Sequence, residues 1–259
     1  FFFMLHFFIA VALILALILG SSSLDPCTRI FKSPLSTYSL ISTRKQMAAA
    51  SGSSIARRVG KLSVENTAFF LCDIQDKFIP LILCSTTVVQ TARLLTSASK
   101  ELKIPLVVTE QYRKVFGATS VQCFADPDHY SSLASSIVDK KKFSMMTPEV
   151  TAHVDSLNAQ SIVLFGIEAH VCLQQTCLDL LESGRDVHVI ADACSSMKLF
   201  DREIALQRMQ NAGAYLTTAQ SAIFMLMESA DHPNFKKISA LVKEHALLPN
   251  EFDDLLRKK

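Results

Sequence analysis

The architecture follows from Ser161-Ile162-Val163-Leu164-Phe165-Gly166, then Ile167-Glu168-Ala169-His170-Val171-Cys172-Leu173 and, past Gly184, Asp186-Val187-His188-Val189-Ile190-Ala191-Asp192. The first and last runs are short, apolar and rich in β-branched residues, which predicts buried strands over 161–166 and 186–192. Residues 169–183 between them carry a helical pattern, and Gly184 stands where a helix ends most easily. A strand, a helix and a second strand within about thirty residues make a βαβ unit, whose strands run parallel. On either side of this unit, similar β-rich runs predict strands over 67–73, 106–110, 136–140 and 214–217. Helical stretches fall at 86–102, 147–157, 200–212, 219–229 and 234–244, with Pro148 in a first turn and Gly213 just past a last one. The pattern shows no internal repeat. It predicts a three-layer αβα, Rossmann-like α/β domain around a six-stranded parallel sheet.

In such sheets, function gathers at the carboxyl ends of the strands. Asp73 closes the first predicted strand, Lys140 closes the third, and the fourth runs through Gly166 into a helix with Cys172 in its first turn. Unpaired N–H groups and the helix dipole favour a thiolate at such a position, and a nearby lysine strengthens the effect. An aspartate within reach would accept the thiol proton, giving an activated nucleophile without a histidine. Each residue also has a plain structural role. Cys172 fits as a small core residue on an apolar helix, Asp73 as a turn cap, and Lys140 as one end of the solvated run Lys140-Lys141-Lys142. His170 is two positions from Cys172, and residues at that spacing do not face each other on a helix.

The 259-residue chain is 49% hydrophobic with a formal charge of +2, and both values are carried largely by its first 64 residues. From Glu65 onward, 19 Lys and Arg stand against 23 Asp and Glu, a net charge of −4. A mildly acidic domain lacks the electrostatic footprint of a nucleic-acid binder, and nucleic acid is not an expected partner. Six cysteines in this body, Cys72, Cys84, Cys123, Cys172, Cys177 and Cys194, sit mostly within apolar runs and show no zinc-type spacing. That usage points to a reducing compartment rather than a disulfide framework.

The first twenty residues hold one polar side chain, His6, and are long enough to cross a bilayer or to form the core of a signal peptide ending near Gly20-Ser21-Ser22. No Lys or Arg precedes that run, and Met47-Ala48-Ala49-Ala50 looks like a protein start, which would make residues 1–46 translated upstream sequence. Residues 26–64 hold seven basic residues, eight serines and no acid, a composition that also fits a mitochondrial transit peptide. The expected organisation is an apolar leader over 1–46, a flexible segment over 47–64, one domain over 65–246 and a tail over 247–259. A cytoplasmic location is expected, with mitochondrial targeting as an alternative. Membrane contact is expected only if residues 1–20 are retained as an anchor.

Three segments in order carry a resemblance. Phe70-Leu71-Cys72-Asp73-Ile74-Gln75-Asp76-Lys77-Phe78 resembles the D-x-Q-x-x-F signature of the isochorismatase-like cysteine hydrolases. Lys140-Lys141-Lys142-Phe143-Ser144-Met145 resembles their K-x-x-[FY]-S segment, and Gly166-Ile167-Glu168-Ala169-His170-Val171-Cys172 resembles their nucleophile loop. Asp192-Ala193-Cys194-Ser195-Ser196 and Asp231-His232-Pro233-Asn234-Phe235-Lys236 extend the likeness over about residues 64–244. The pattern is most similar to the animal isochorismatase domain-containing proteins.

The resemblance implies the isochorismatase-like hydrolase fold and a catalytic triad of Asp73, Lys140 and Cys172, with Lys140 chosen from its run because it stands three residues before Phe143. It implies a cis peptide between Ile167 and Glu168, turning backbone N–H groups, that of Cys172 included, toward a developing oxyanion. It also implies a homo-oligomer. Gln75, Phe78, Gln111 and Tyr112 are expected to line the substrate pocket, from their positions near strand ends. Related nicotinamidases carry a metal-binding Asp/His cluster after the second strand. Here Thr109-Glu110-Gln111-Tyr112-Arg113-Lys114 offers no histidine, so neither a metal nor another cofactor is expected. Retention of Cys172 favours acyl transfer over isochorismate cleavage, and Arg113, where relatives often carry proline, loosens any substrate analogy. The expected function is metal-independent hydrolysis of an amide, ester or thioester of a small molecule through a cysteine acyl-enzyme. The alternative is a binding or scaffold protein that keeps the fold with little turnover.

Overall fold

The computed structural model describes residues 59–133 and 137–257. The apolar leader (1–46), residues 47–58 of the segment that follows it, Ser136 of the third expected strand, and the last two residues lie outside that range. The elements in order are Thr67–Cys72 (β1), Ser85–Leu102 (α1), Leu106–Gln111 (β2), Arg113–Phe116 (α2), Pro127–Leu133 (α3), Val138–Lys140 (β3) and Pro148–Ser156 (α4). There follow Ser161–Ile167 (β4), a π turn over Ala169–Leu173, Gln174–Glu182 (α5), Asp186–Ser195 (β5), Leu199–Ala212 (α6) and Tyr215–Thr217 (β6). Ala219–Met227 (α7), Phe235–Ala246 (α8) and Glu251–Arg257 (α9) complete the chain. No helix among the described residues is long and apolar enough to cross a membrane.

The six strands form one parallel sheet in the order β3-β2-β1-β4-β5-β6. The chain thus winds outward from β1 in one direction and, after crossing back, outward from β4 in the other. The switch point lies between β1 and β4, where the connections diverge, which is where sheets of this kind bind ligands. Every residue of β1 and β4 is buried, as a strand covered on both faces requires. Phe69 and Phe165 meet edge to face at 6.3 Å across that central pair. On one layer, α1 lays Val88, Ala92, Leu95, Ala98 and Leu102 against the core, the three-to-four spacing of one helix face. Each fully buried Leu, Ile or Phe contributes about 1.5–3 kcal/mol relative to exposure.

Three differences from the sequence expectation have physical causes. The helix expected over 169–183 opens with a π turn before α5 begins, so its first turn is wider than an α-helix allows. β5 runs on to Ser195, because a register shift between Leu164 and Gly166 lets its end continue pairing with β4. The segment beyond residue 246 is more than a tail. Cys84, at the start of α1, offers no side-chain cap, and Glu251 supplies one: its carboxylate accepts the Thr87 N–H, and its own N–H donates to Thr87 Oγ1, both at 2.9 Å. The Arg202 guanidinium covers the Phe252 ring of α9 at 4.2 Å.

Candidate active site

Gly166 sets the geometry at the switch point. Its φ is +131°, and a Cβ built on it would lie 2.1 Å from the Cys72 carbonyl oxygen. Only glycine lets the backbone leaving β4 press so closely on the end of β1. Beyond it lie the Ile167–Glu168 peptide, which is cis, and the π turn. Single π turns are rare and recur at functional sites. Cys172, on this turn, is 7% exposed, and its carbonyl accepts the Thr176 hydroxyl at 2.6 Å. Thr176 Oγ1 in turn accepts the Met145 N–H at 2.8 Å, tying the cysteine segment to the Lys140–Met145 loop.

Asp73 follows β1 with a positive φ of 50° and is buried. Thr109 on β2 donates its hydroxyl to Asp73 Oδ1 at 2.8 Å, and Lys140 donates to Oδ2 at 2.6 Å. The Lys140 ammonium is enclosed. Besides Asp73 it reaches Gln111 Oε1 at 2.8 Å and the carbonyls of Phe143 and Lys142 at 2.8 and 3.2 Å. Four oxygens thus surround three N–H donors, so the charge is fully solvated by protein. Burial by itself would push this ammonium toward neutrality. The surrounding Cys72, Asp73 and Cys172 groups outweigh it and hold the lysine above its ordinary pKa, so it is charged at neutral pH. Asp73, Lys140 and Cys172 come from three strand ends, and the fold gathers them on one rim.

A second thiol lies among them. Burial, a hydrogen bond with Cys172 and the neighbouring Asp73 raise Cys72 well above an ordinary thiol. Burial alone pushes Cys177 to about 12, an inert core thiol. His170 is engaged with other partners. Its Nδ1 lies 2.9 Å from Ser196 Oγ, and Glu168 on the same loop accepts the Met197 N–H at 3.0 Å.

The residues expected to line the pocket divide. Gln75 is fully buried and its amide is engaged by backbone: Nε2 donates to the carbonyls of Gln111 and Gly117, and Oε1 accepts the Gln111 N–H. Gln111 uses Oε1 on Lys140 and Nε2 on the Lys141 carbonyl. Both glutamines therefore brace loops and the lysine through these bonds. Phe78 is half-buried and packs against Phe116, with ring centroids 4.6 Å apart and planes tilted by 30°, while Tyr112 sits under the Lys141 ammonium at 5.2 Å. At the end of β2, where a metal cluster would be sought, Glu110 Oε1 accepts both the N–H and hydroxyl of Thr119, and Arg113 approaches Oε2 at 3.3 Å. Among the described residues, no group of three or more His, Cys, Asp or Glu side chains is placed to hold a metal ion. Sequence reasoning missed Thr109, Thr176 and Cys72. Thr109 had one usable signal, its place two residues before Gln111 on the same face of the same strand.

The chain is similar to known proteins. The isochorismatase domain model matches residues 67–221. The secreted isochorismatase effector Isc1 of Phytophthora sojae is 42% identical over 203 residues, covering 78% of this chain and 96% of its own. Isochorismatase domain-containing protein 2 of Xenopus laevis is 42% identical over 192 residues, covering 73% and 90%. The structure of the MAR1 ribonuclease from Caenorhabditis elegans superimposes with a TM-score of 0.65 at 39% identity, covering 73% of this chain and 97% of that one.

Proposed function

The chain belongs to the isochorismatase family, and on that premise we propose that it is a metal-independent cysteine hydrolase cleaving an amide, ester or thioester of a small molecule. The observation that carries this reading is the buried Asp73–Lys140 pair beside Cys172. Enclosing two charges costs several kcal/mol per ion, and apolar side chains of similar size would stabilise the fold as well or better. A charge pair kept in the interior next to a thiol points to chemistry.

Asp73 takes the Cys172 proton, and the thiolate attacks the substrate carbonyl carbon. The tetrahedral oxyanion is met by backbone N–H groups of the π turn, that of Cys172 among them. Lys140 remains protonated throughout and offsets the negative charge that moves between Cys172 and Asp73. The leaving group departs with the proton held by Asp73, leaving an acyl-cysteine. Asp73 then deprotonates a water, which attacks the acyl carbon. Release of the acid returns the proton to the Cys172 sulfur.

The test is a screen of small amides, esters and thioesters with wild type and Cys172→Ala, together with mass spectrometry for an acyl adduct on Cys172. Turnover lost in Cys172→Ala and an adduct on that residue are expected. Equal background rates in both proteins overturn the reading in favour of a binding or scaffold protein. RNA belongs in the same screen because one relative is named a ribonuclease; RNA cleavage that survives Cys172→Ala would overturn the cysteine mechanism as well.

A further inference from the structure

Just before the nucleophile loop the sheet is irregular. β4 pairs residue for residue with β5 as far as Leu164 and Val189, and pairing resumes at Gly166 with Cys194 and at Ile167 with Ser195. One β4 residue, Phe165, thus stands against four β5 residues, 190–193, and β5 bulges. β6 accompanies β5 only as far as Ile190, so most of the bulge has no strand beside it on that side either. Carbonyls released from the ladder in this way need other donors. Arg202 of α6 supplies them at both ends: Nε donates to the Cys194 carbonyl at 2.8 Å, and Nη2 donates to that of Ala191. The residue is buried, with Nη1 on the Glu203 carboxylate at 2.7 Å and the Phe252 ring over the guanidinium. A guanidinium is a planar, rigid fork, so it fixes the separation of the two carbonyls as well as satisfying them.

The residues that leave the bulge hold the segment that leads to Cys172. Cys194 and Ser195 pair with Gly166 and Ile167, the last residues of β4. Ser196 Oγ lies 2.9 Å from His170 Nδ1, and the Met197 N–H donates to the Glu168 carboxylate at 3.0 Å. These four contacts fall within residues 166–170, directly before Cys172. Ser196 is also held from the side of α1, its carbonyl accepting the Leu83 N–H at 3.0 Å. A change in the shape of the bulge is therefore passed to the nucleophile loop through bonded neighbours.

We infer that Arg202 is a positioning residue for the cysteine chemistry: its guanidinium clamps the β5 bulge and so sets where the nucleophile loop presents Cys172 to Asp73 and Lys140. The inference rests on the reading of Cys172 as the nucleophile. Arg202 bonds to β5 and Glu203, and its effect reaches the site through the backbone. Small displacements are enough, because misplacing a reacting group by about 1 Å can cost about a hundredfold in rate.

The test uses the full chain as wild type, Arg202→Ala, Arg202→Lys and, as a control, Ile238→Ala. Ile238 is fully buried on α8, and its truncation destabilises the fold without removing any of the hydrogen bonds above. Alkylation of Cys172 by iodoacetamide is followed by peptide mass from pH 5 to 10, beside unfolding in urea. Arg202→Ala should slow Cys172 roughly tenfold at pH 6 and move its rate profile to the alkaline side. General destabilisation has the opposite sign, since opening of the fold exposes buried thiols and speeds their alkylation. Arg202→Lys keeps the charge and the packed stem but not the fork, and should show most of the alanine shift. Ile238→Ala should lower the urea midpoint and leave the profile in place. An unchanged profile in Arg202→Ala overturns the inference. So does a wild-type profile in Arg202→Lys, which would make charge the cause, or an equal shift in Ile238→Ala, which would make stability the cause. Where the alanine variant does not fold, the lysine variant decides by the same criterion. If wild-type Cys172 reacts no faster at pH 6 than Cys84, equally exposed at 7%, the nucleophile reading itself fails, a result distinct from the others.

Discussion

The carboxyl rim of the sheet and its opposite end bury ionisable side chains on opposite terms. At the rim, Lys140 is enclosed and charged, with Asp73 and three further oxygens around its ammonium. Near the amino end of β5, His188 is 1% exposed, stacks on Tyr215 at 4.9 Å, and its Nε2 has no hydrogen-bond partner. There burial pushes the imidazole down to about 4, so it is neutral at physiological pH. The difference is solvation by protein. An interior charge survives where oxygens replace its water, and elsewhere the group gives up its proton. Where a fold pays to keep the charge, the cost marks the place where chemistry is expected.

This contrast disappears most completely if the rim cannot form. Gly166→Ala places a Cβ on the Cys72 carbonyl at a φ that L-residues avoid. A loss of at least ~4 kcal/mol, the extreme of single substitutions, is expected, read as missing cooperative unfolding in urea. Lys140→Met leaves Asp73 buried and unpaired, which should cost about 3–5 kcal/mol and abolish turnover. Asp73→Leu added to it should recover part of the stability and none of the activity, as calorimetry and the substrate screen would show.

His188 tests the other end of the sheet. Its folded pKa of about 4 lies below the ordinary value of 6.5, so the unfolded chain binds the proton first as pH falls. Its contribution is complete above pH 6.5 and is lost progressively between 6.5 and about 4, up to roughly 3 kcal/mol in all. Urea midpoints across that window should fall less steeply for His188→Leu than for wild type. Lys142 supplies the smallest effect. It pairs with Asp179 at 2.9 Å on the surface, about half exposed, and Lys142→Ala should change stability by no more than about 0.5 kcal/mol in the same titration. A large loss there would mean that proximity to the site, not burial, sets the value of a lysine.

Lys140 and Lys142 also show how much of the site was legible. They are identical side chains two residues apart, and it was the resemblance to the family's K-x-x-[FY]-S segment that selected Lys140, the one three residues before Phe143. Nothing local says that one is enclosed by Gln111 and Asp73 while the other reaches Asp179. The strands were legible because their apolar runs are what a sheet covered on both faces requires. The hydrogen bonds of Gln75 and Gln111 were not, since adjacency to a strand end does not reveal which backbone groups and side chains an amide reaches. The same holds for Glu251, whose capping of α1 spans 164 residues of sequence.

Local sequence thus specifies the alternation of strands and helices, the parallel sheet that follows from it, and the ends at which Asp73, Lys140 and Cys172 stand. These depend on periodicity and chain geometry, which every short segment carries within itself. What those ends touch is set by the packing of the whole domain: Thr109 and Lys140 on Asp73, Thr176 on the Cys172 carbonyl, and Gly166 pressed on the end of β1. Strand order and register place such groups together, and they arise between elements distant in the chain, so no segment read alone contains them.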